Sequence, residues 1–142
     1  MPAAPAADPL VDALVQASFA TMAVLTKAAA DADLSLTQLR VLAILRDRRL
    51  RMTALADYLG LEKSTMSGLV DRAEKRGLLA RAPNPDDGRA VDVLITVAGA
   101  EVADRGAAEV ARALAPLTGA LPPADRRRLT DLLVRMIGTP LA

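Results

Sequence analysis

Between Leu10 and Leu25 the apolar side chains fall at Leu10, Leu14, Val15, Phe19, Met22 and Leu25, the three- and four-residue spacing of one helical face. This predicts a helix from Pro9 to Ala32, capped by Asp8 and with Pro9 in its first turn. Asp33-Leu34-Ser35 interrupts the pattern. A second helix is expected from Thr37, with Leu39, Leu42 and Leu45 on one face and the run Arg46-Asp47-Arg48-Arg49 at its end. Leu50-Arg51-Met52 reads as a short extended link. Thr53 is then expected to cap a brief helix, Ala54 to Leu59, which Gly60 stops. From Lys63 to Arg76 a longer helix turns Met66, Leu69, Val70 and Ala73 inward and ends at Gly77. Its other face carries Lys63, Ser64, Thr65, Ser67, Gly68, Asp71, Arg72, Lys75 and Arg76. Two helices joined by a tight glycine-containing turn form a helix-turn-helix.

The period then changes from 3.6 to 2. Leu78-Leu79-Ala80-Arg81 and Val91 to Thr96 read as two strands, the second with Val91, Val93 and Ile95 on one face. The segment between them, Ala82 to Ala90, is dense in Pro, Asn, Asp and Gly, so the pair forms a hairpin with a polar tip. A hairpin directly behind a helix-turn-helix is a wing. Two further helices close the chain. Val97 to Leu117 places Val102, Gly106, Val110, Leu114 and Leu117 along one seam, flanked by Ala103, Ala107 and Ala111. The last helix starts at Pro122-Pro123 and aligns Leu129, Leu132, Leu133, Met136 and Ile137 before Gly138. The expected class is mainly α with a small β-hairpin wing. Residues 1–8 are expected to form a flexible tail, 35–97 a winged helix-turn-helix lobe, and 9–34 with 98–142 a helical dimerisation region. A monomer that folds its ends onto its own middle is the alternative for those terminal stripes.

Composition narrows the chemistry. The 142 residues include no Cys, His or Trp, and one Phe and one Tyr. Disulfides, thiol redox sensing and Cys/His zinc sites are therefore closed, as are Ser–His and Cys–His nucleophile pairs. Thirty alanines make the apolar content slender helix surface, and the scarcity of aromatics argues against an all-β fold. No uninterrupted apolar run nears 18 residues and the start lacks basic residues, so neither a membrane span nor a signal peptide is expected, and the chain reads as cytoplasmic. The net charge of +1 hides a division: residues 40–89 carry +4 and the remainder −3. A basic middle between acidic flanks suits a polyanion-binding module.

A helix fits the major groove of B-DNA, and short polar side chains on its leading half can reach base edges. Ser64, Thr65 and Ser67 supply hydroxyls, and Gly68 lets the backbone come close. Lys63, Arg72, Lys75 and Arg76 suit phosphates, which position the protein without reading sequence. At the wing tip Arg89 could enter a minor groove of enhanced negative potential. Asp87 beside it would repel DNA unless paired within the protein, and Arg72 is the expected partner. Two patterns carry nothing. Gly60 to Thr65 contains the Lys-Ser of a phosphate-binding loop, but Glu62 and Asp57 replace its glycines. Asp86-Asp87 is turn chemistry rather than a catalytic carboxylate pair.

The order of helix, helix, helix-turn-helix, wing and two closing helices resembles the MarR family of bacterial transcription regulators over nearly the whole chain. Asp87-Gly88-Arg89-Ala90-Val91-Asp92-Val93-Leu94-Ile95-Thr96 is similar to that family's D-x-R-x-x-x-V-x-L-T signature, with Ile95 where Leu is usual. Leu69 to Leu78 resembles the end of its recognition helix, with Ala73 where Leu is common. The resemblance implies a homodimer on a pseudo-palindromic operator, usually as a repressor. It implies DNA contacts from Ser64, Thr65, Ser67, Gly68, Arg72 and Arg89, with Thr37 and Gln38 at the DNA backbone. No cofactor, metal or catalytic residue is expected. Many such regulators release DNA when a small anionic or phenolic compound binds between the dimer helices and the DNA-binding lobe. Here Phe19, Met22, Arg46, Arg49 and Arg112 are the available lining residues, and an aliphatic effector and no effector at all both stay open. The rival readings are a winged-helix protein-interaction module without operator binding, and a small hydrolase or transferase, for which no nucleophile–base pair is visible.

Overall fold

A computed structural model describes residues 1–138; residues 139–142, the last of the expected dimerisation region, lie outside the described residues. Six helices and three strands follow in the order α1 (Pro9–Asp31), α2 (Leu36–Leu45), β1 (Leu50–Arg51), α3 (Met52–Leu59), α4 (Lys63–Lys75), β2 (Leu79–Pro83), β3 (Val91–Ile95), α5 (Val97–Thr118) and α6 (Pro123–Ile137). The Asp8 carboxylate accepts the Leu10 N–H at 2.9 Å, the cap expected for α1. Helix α2 begins at Leu36, one residue earlier than periodicity suggested, because Ser35 and Gln38 close a capping box. Thr53 caps nothing: α3 starts at Met52, and Arg51 ahead of it offers no side-chain cap. Gly60 and Gly77 adopt left-handed φ values of 67° and 73°, which end α3 and α4 with little steric cost.

The link at Leu50-Arg51 is a strand. It pairs antiparallel with β3, which pairs in turn with β2, giving the order β1-β3-β2. Strand β2 runs to Pro83, past the expected end at Arg81. It lies at a sheet edge, where a proline's missing N–H costs least. The core gathers Leu39, Val41, Leu42 and Leu45 of α2, Leu55 of α3, Met66, Leu69, Val70 and Ala73 of α4, and Leu79 and Val93 of the sheet. The expected inward face of α4 is therefore the observed one.

Helices α1 and α5 pack on each other, and α2 packs on both. Ala28 and Ala29 of α1 and Gly99, Ala103 and Gly106 of α5 are buried, so part of the small-residue seam on α5 serves this internal packing. The N-terminal half of α1 and all of α6 contribute no buried residue. Leu10, Val11, Val15, Phe19 and Met22 stand exposed, as do Leu129, Leu132, Val134, Met136 and Ile137. By length and composition alone α1 is apolar enough to cross a membrane, with a mean hydropathy of 1.4, although polar residues interrupt its apolar positions. Its leucines and valines, with Phe19 and Met22, supply most of that value, and alanines add to it. The far end of the same helix is packed into the fold.

Candidate nucleic-acid interface

Helix α4 exposes Lys63, Ser64 and Thr65 at its first turn and Asp71, Arg72 and Lys75 further along, with Ser67 and Gly68 half-buried. Nothing packs over Gly68. A Cβ built there would meet only the Arg72 guanidinium, at 3.5 Å.

Arg81 of β2 fixes the wing to this helix. Its guanidinium reaches Glu74 at 2.8 Å and Asp71 at 2.7 Å, and donates to both the carbonyl and the hydroxyl of Ser67 at 3.3 Å. Ser67, Asp71 and Glu74 share one face of α4, spaced by four and three residues, so a single long side chain spans all three. Two carboxylates that would repel a phosphate backbone are thereby neutralised within the protein. The Ser67 hydroxyl, used as an acceptor by Arg81, keeps its own proton for donation.

The wing is held from its other side by a buried carboxylate. Asp92 of β3 is 2% exposed and accepts from the Asn84 amide at 2.9 Å and from Arg49 Nε at 2.8 Å. Arg49 donates in addition to the Pro83 carbonyl at 3.1 Å. The Asn84 carbonyl takes the Asp86 and Asp87 N–H groups, at 2.9 and 3.1 Å, and shapes the turn. The Asn84 hydrogen bond foremost, and then the Arg49 guanidinium, hold the Asp92 carboxyl below its ordinary value of 3.8 against the opposing effect of desolvation. None of Asp92, Asn84 and Arg81 was among the expected site residues, and Arg49 was considered only for an effector. The even spacing of Ser67, Asp71 and Glu74 on α4 was the local signal for Arg81; the Arg49–Asp92 pair has none, being 43 residues apart.

One expectation for these residues needs correction, and two further residues are engaged within the chain. Asp87 does not pair with Arg72: its carboxylate accepts the Arg89 N–H at 3.1 Å, an Asx turn that satisfies it locally. Arg76 is engaged within the chain. Its guanidinium donates to the carbonyls of Asp33 and Ala32 at the end of α1. Gln38 has its side chain engaged in the cap of α2, accepting the Ser35 N–H at 2.9 Å. Thr37 beside it is half-buried in the first turn of the same helix.

What remains is a set of uncommitted cations. Among the described residues Lys63, Arg72, Lys75 and Arg89 have no ion-pair or side-chain hydrogen-bond partner, whereas Arg46 meets Asp104 at 3.4 Å, and Arg49, Arg76 and Arg81 are held as described. The residues considered for an effector do not surround one cavity: Phe19 is 74% exposed, and Arg46 and Arg49 are engaged elsewhere. Arg112 lines a groove of about 450 Å³ between α1 and α5, with Lys27, Glu109 and Val24.

Comparison with known proteins agrees with this architecture. Residues 32–90 match the sequence model of the MarR family. Over 65 residues the chain is 35% identical to an uncharacterized HTH-type transcriptional regulator, YfiV, of Bacillus subtilis (strain 168); the match covers 45% of this chain and 41% of that relative. The crystal structure of NadR in complex with 4-hydroxyphenylacetate superposes with a TM-score of 0.80 at 23% identity, covering 99% of this chain and 100% of that one. Wild-type apo MarR from E. coli gives 0.74 at 23% identity, over 93% and 98% of the two chains. The winged lobe is thus similar in sequence to the MarR family, and the six-helix, three-strand architecture is the fold of these solved structures.

Proposed function

We propose that the protein is a sequence-specific regulator of transcription, binding double-stranded DNA as a homodimer on a pseudo-palindromic operator, in the cytoplasm and as a repressor. The observation that carries this reading is the sorting of charge around α4 and the wing. The acidic side chains there are neutralised internally by Arg81 or used in the turn, while Lys63, Arg72, Lys75 and Arg89 are left with no partner in the described chain. In this reading Ser64, Thr65 and Ser67 meet base edges in the major groove, Gly68 permits close approach, and Arg89 enters the minor groove. Lys63, Arg72 and Lys75 meet phosphates.

Dimerisation is supported by the exposed apolar faces of α1 and α6. Leu10 and Leu14 of α1 and Leu129, Leu132, Leu133 and Met136 of α6 line one apolar groove that nothing among the described residues covers. A patch of this kind on a soluble protein marks an interface. For an effector, we propose a small anion in the α1–α5 groove, where Arg112 supplies positive charge and Lys27 is shared with Asp31 at 2.8 Å and Glu109 at 4.0 Å; the 4-hydroxyphenylacetate carried by the similar NadR structure is a compound of that class.

Selection of genomic DNA fragments by the purified protein tests the reading. An enriched palindrome should appear, with half-sites about one helical turn apart, roughly 34–36 Å. Arg89→Ala should weaken binding to it by about 1–3 kcal/mol, whereas Lys75→Ala should weaken all sequences and reduce the salt slope by about one. Equal losses on every sequence from both variants would remove Arg89 from operator recognition. Absence of any enrichment would turn the same exposed surface towards a protein partner.

A further inference from the structure

We propose that Arg76 is a positioning residue: by tying the end of the recognition helix to the end of α1, it sets the separation of the two recognition helices and hence the half-site spacing the dimer accepts. This rests on the dimeric operator reading above.

Arg76 is the C-cap of α4. Its guanidinium donates through one terminal nitrogen to the Asp33 carbonyl and through the other to the Ala32 carbonyl, at 3.0 Å. These acceptors are presented outward by a sharp end to α1. Asp33 takes a left-handed φ of 55°, and the Leu34 N–H closes back onto the Ala29 carbonyl at 2.9 Å. A helix C-terminus carries partial negative charge and unsatisfied carbonyls, so a two-pronged cation is the complementary group.

The consequence is geometric. Helix α4 packs chiefly on α3 and β2, inside the winged lobe, and the main packing between that lobe and the α1–α5 pair runs through α2. The lobe is held as well where α5 leaves β3, with Gly99 seated against the Leu78 carbonyl and the Thr96 hydroxyl donating to the Gly77 carbonyl. Two such attachments still leave rotation about the line that joins them, and a third, between α4 and α1, resists it. Arg76 is solvent-exposed, so its bonds compete with water and contribute little to folding, and the tie can be cut without unfolding the chain.

Two readouts test this on the full chain. The protein has no cysteine, so Thr26→Cys on α1 and Glu62→Cys ahead of α4 accept a spin-label pair, diluted with unlabelled protein so that distances within one chain dominate. Without DNA, Arg76→Ala should broaden that distance distribution and Arg76→Lys should fall between it and the parent. On duplexes whose half-site spacing is lengthened or shortened by single base pairs, Arg76→Ala should reduce the preference for the best spacing about three- to tenfold, with the salt slope unchanged. An unchanged distance distribution would overturn the tie whatever the DNA result. A salt slope lowered by about one, with spacing preference intact, would make Arg76 a phosphate contact and overturn the proposal as well. Broadened distances in a protein whose parent selects no operator would instead remove the operator reading, and the spacing role with it.

Discussion

Replacing Gly68 with alanine separates folding from DNA binding, because the structure gives the two effects opposite signs. Gly68 sits within α4, where glycine is less favourable than alanine by about 0.5–1 kcal/mol through backbone entropy. The added methyl would meet one atom only, the tip of the flexible Arg72 side chain at 3.5 Å, an ordinary contact. Nothing offsets the gain in helix propensity, so Gly68→Ala should stabilise the protein by about 0.5–1 kcal/mol. The same methyl would stand on the face proposed to enter the major groove. Holding the helix back there should cost about 1–2 kcal/mol of operator affinity, within the range of one disrupted base contact. Urea unfolding at matched protein concentration measures the first quantity, since the proposed dimerisation would make the midpoint concentration-dependent. Fluorescence anisotropy on a labelled operator at fixed salt measures the second. A more stable variant that binds the operator as tightly as the parent would refute the close approach at Gly68. A less stable one would refute the openness of the site.

The same substitution at Gly99 should go the other way. A Cβ there would fall 2.1 Å from the Leu78 carbonyl oxygen, which already accepts the Thr96 N–H, and 2.8 Å from the Ile95 side chain, so Gly99→Ala should cost about 1–3 kcal/mol in urea unfolding despite its better helix propensity; unchanged stability would mean α5 is not seated against Leu78. Asp92 provides a pH test. Its carboxyl titrates lower in the folded chain than its ordinary 3.8, so its charge stabilises the fold above that value and the contribution disappears as pH falls through the lowered one. The gap in unfolding midpoint between the parent and Asp92→Asn should accordingly be full near neutrality and close in acid, and a gap independent of pH would show that the charge is not what holds the wing.

How far the sequence reveals this molecule depends on the range of the interaction. The inward face of α4, the glycine stops at Gly60 and Gly77 and the hairpin after them are local patterns, and the structure reproduces them. The capping box of Ser35 and Gln38 was equally local, a Ser followed three residues later by Gln, and it sets the start of α2 where hydrophobic periodicity alone misses by a residue. Asp92 is different. Strand alternation sets Val93 inside and Asp92 on the other face, yet both are buried, because Arg49 and Asn84 close over the carboxylate, and a pairing at such separation leaves no mark in a single sequence. The basic residues show the same limit with more consequence. The net charge of +4 over residues 40–89 treats every cation alike, whereas Arg46, Arg49, Arg76 and Arg81 are tied into the protein and Lys63, Arg72, Lys75 and Arg89 are not. Counterion release follows the phosphates neutralised and not the cations encoded, so the proposed footprint on DNA would draw on the second group, and a count of basic residues overstates it.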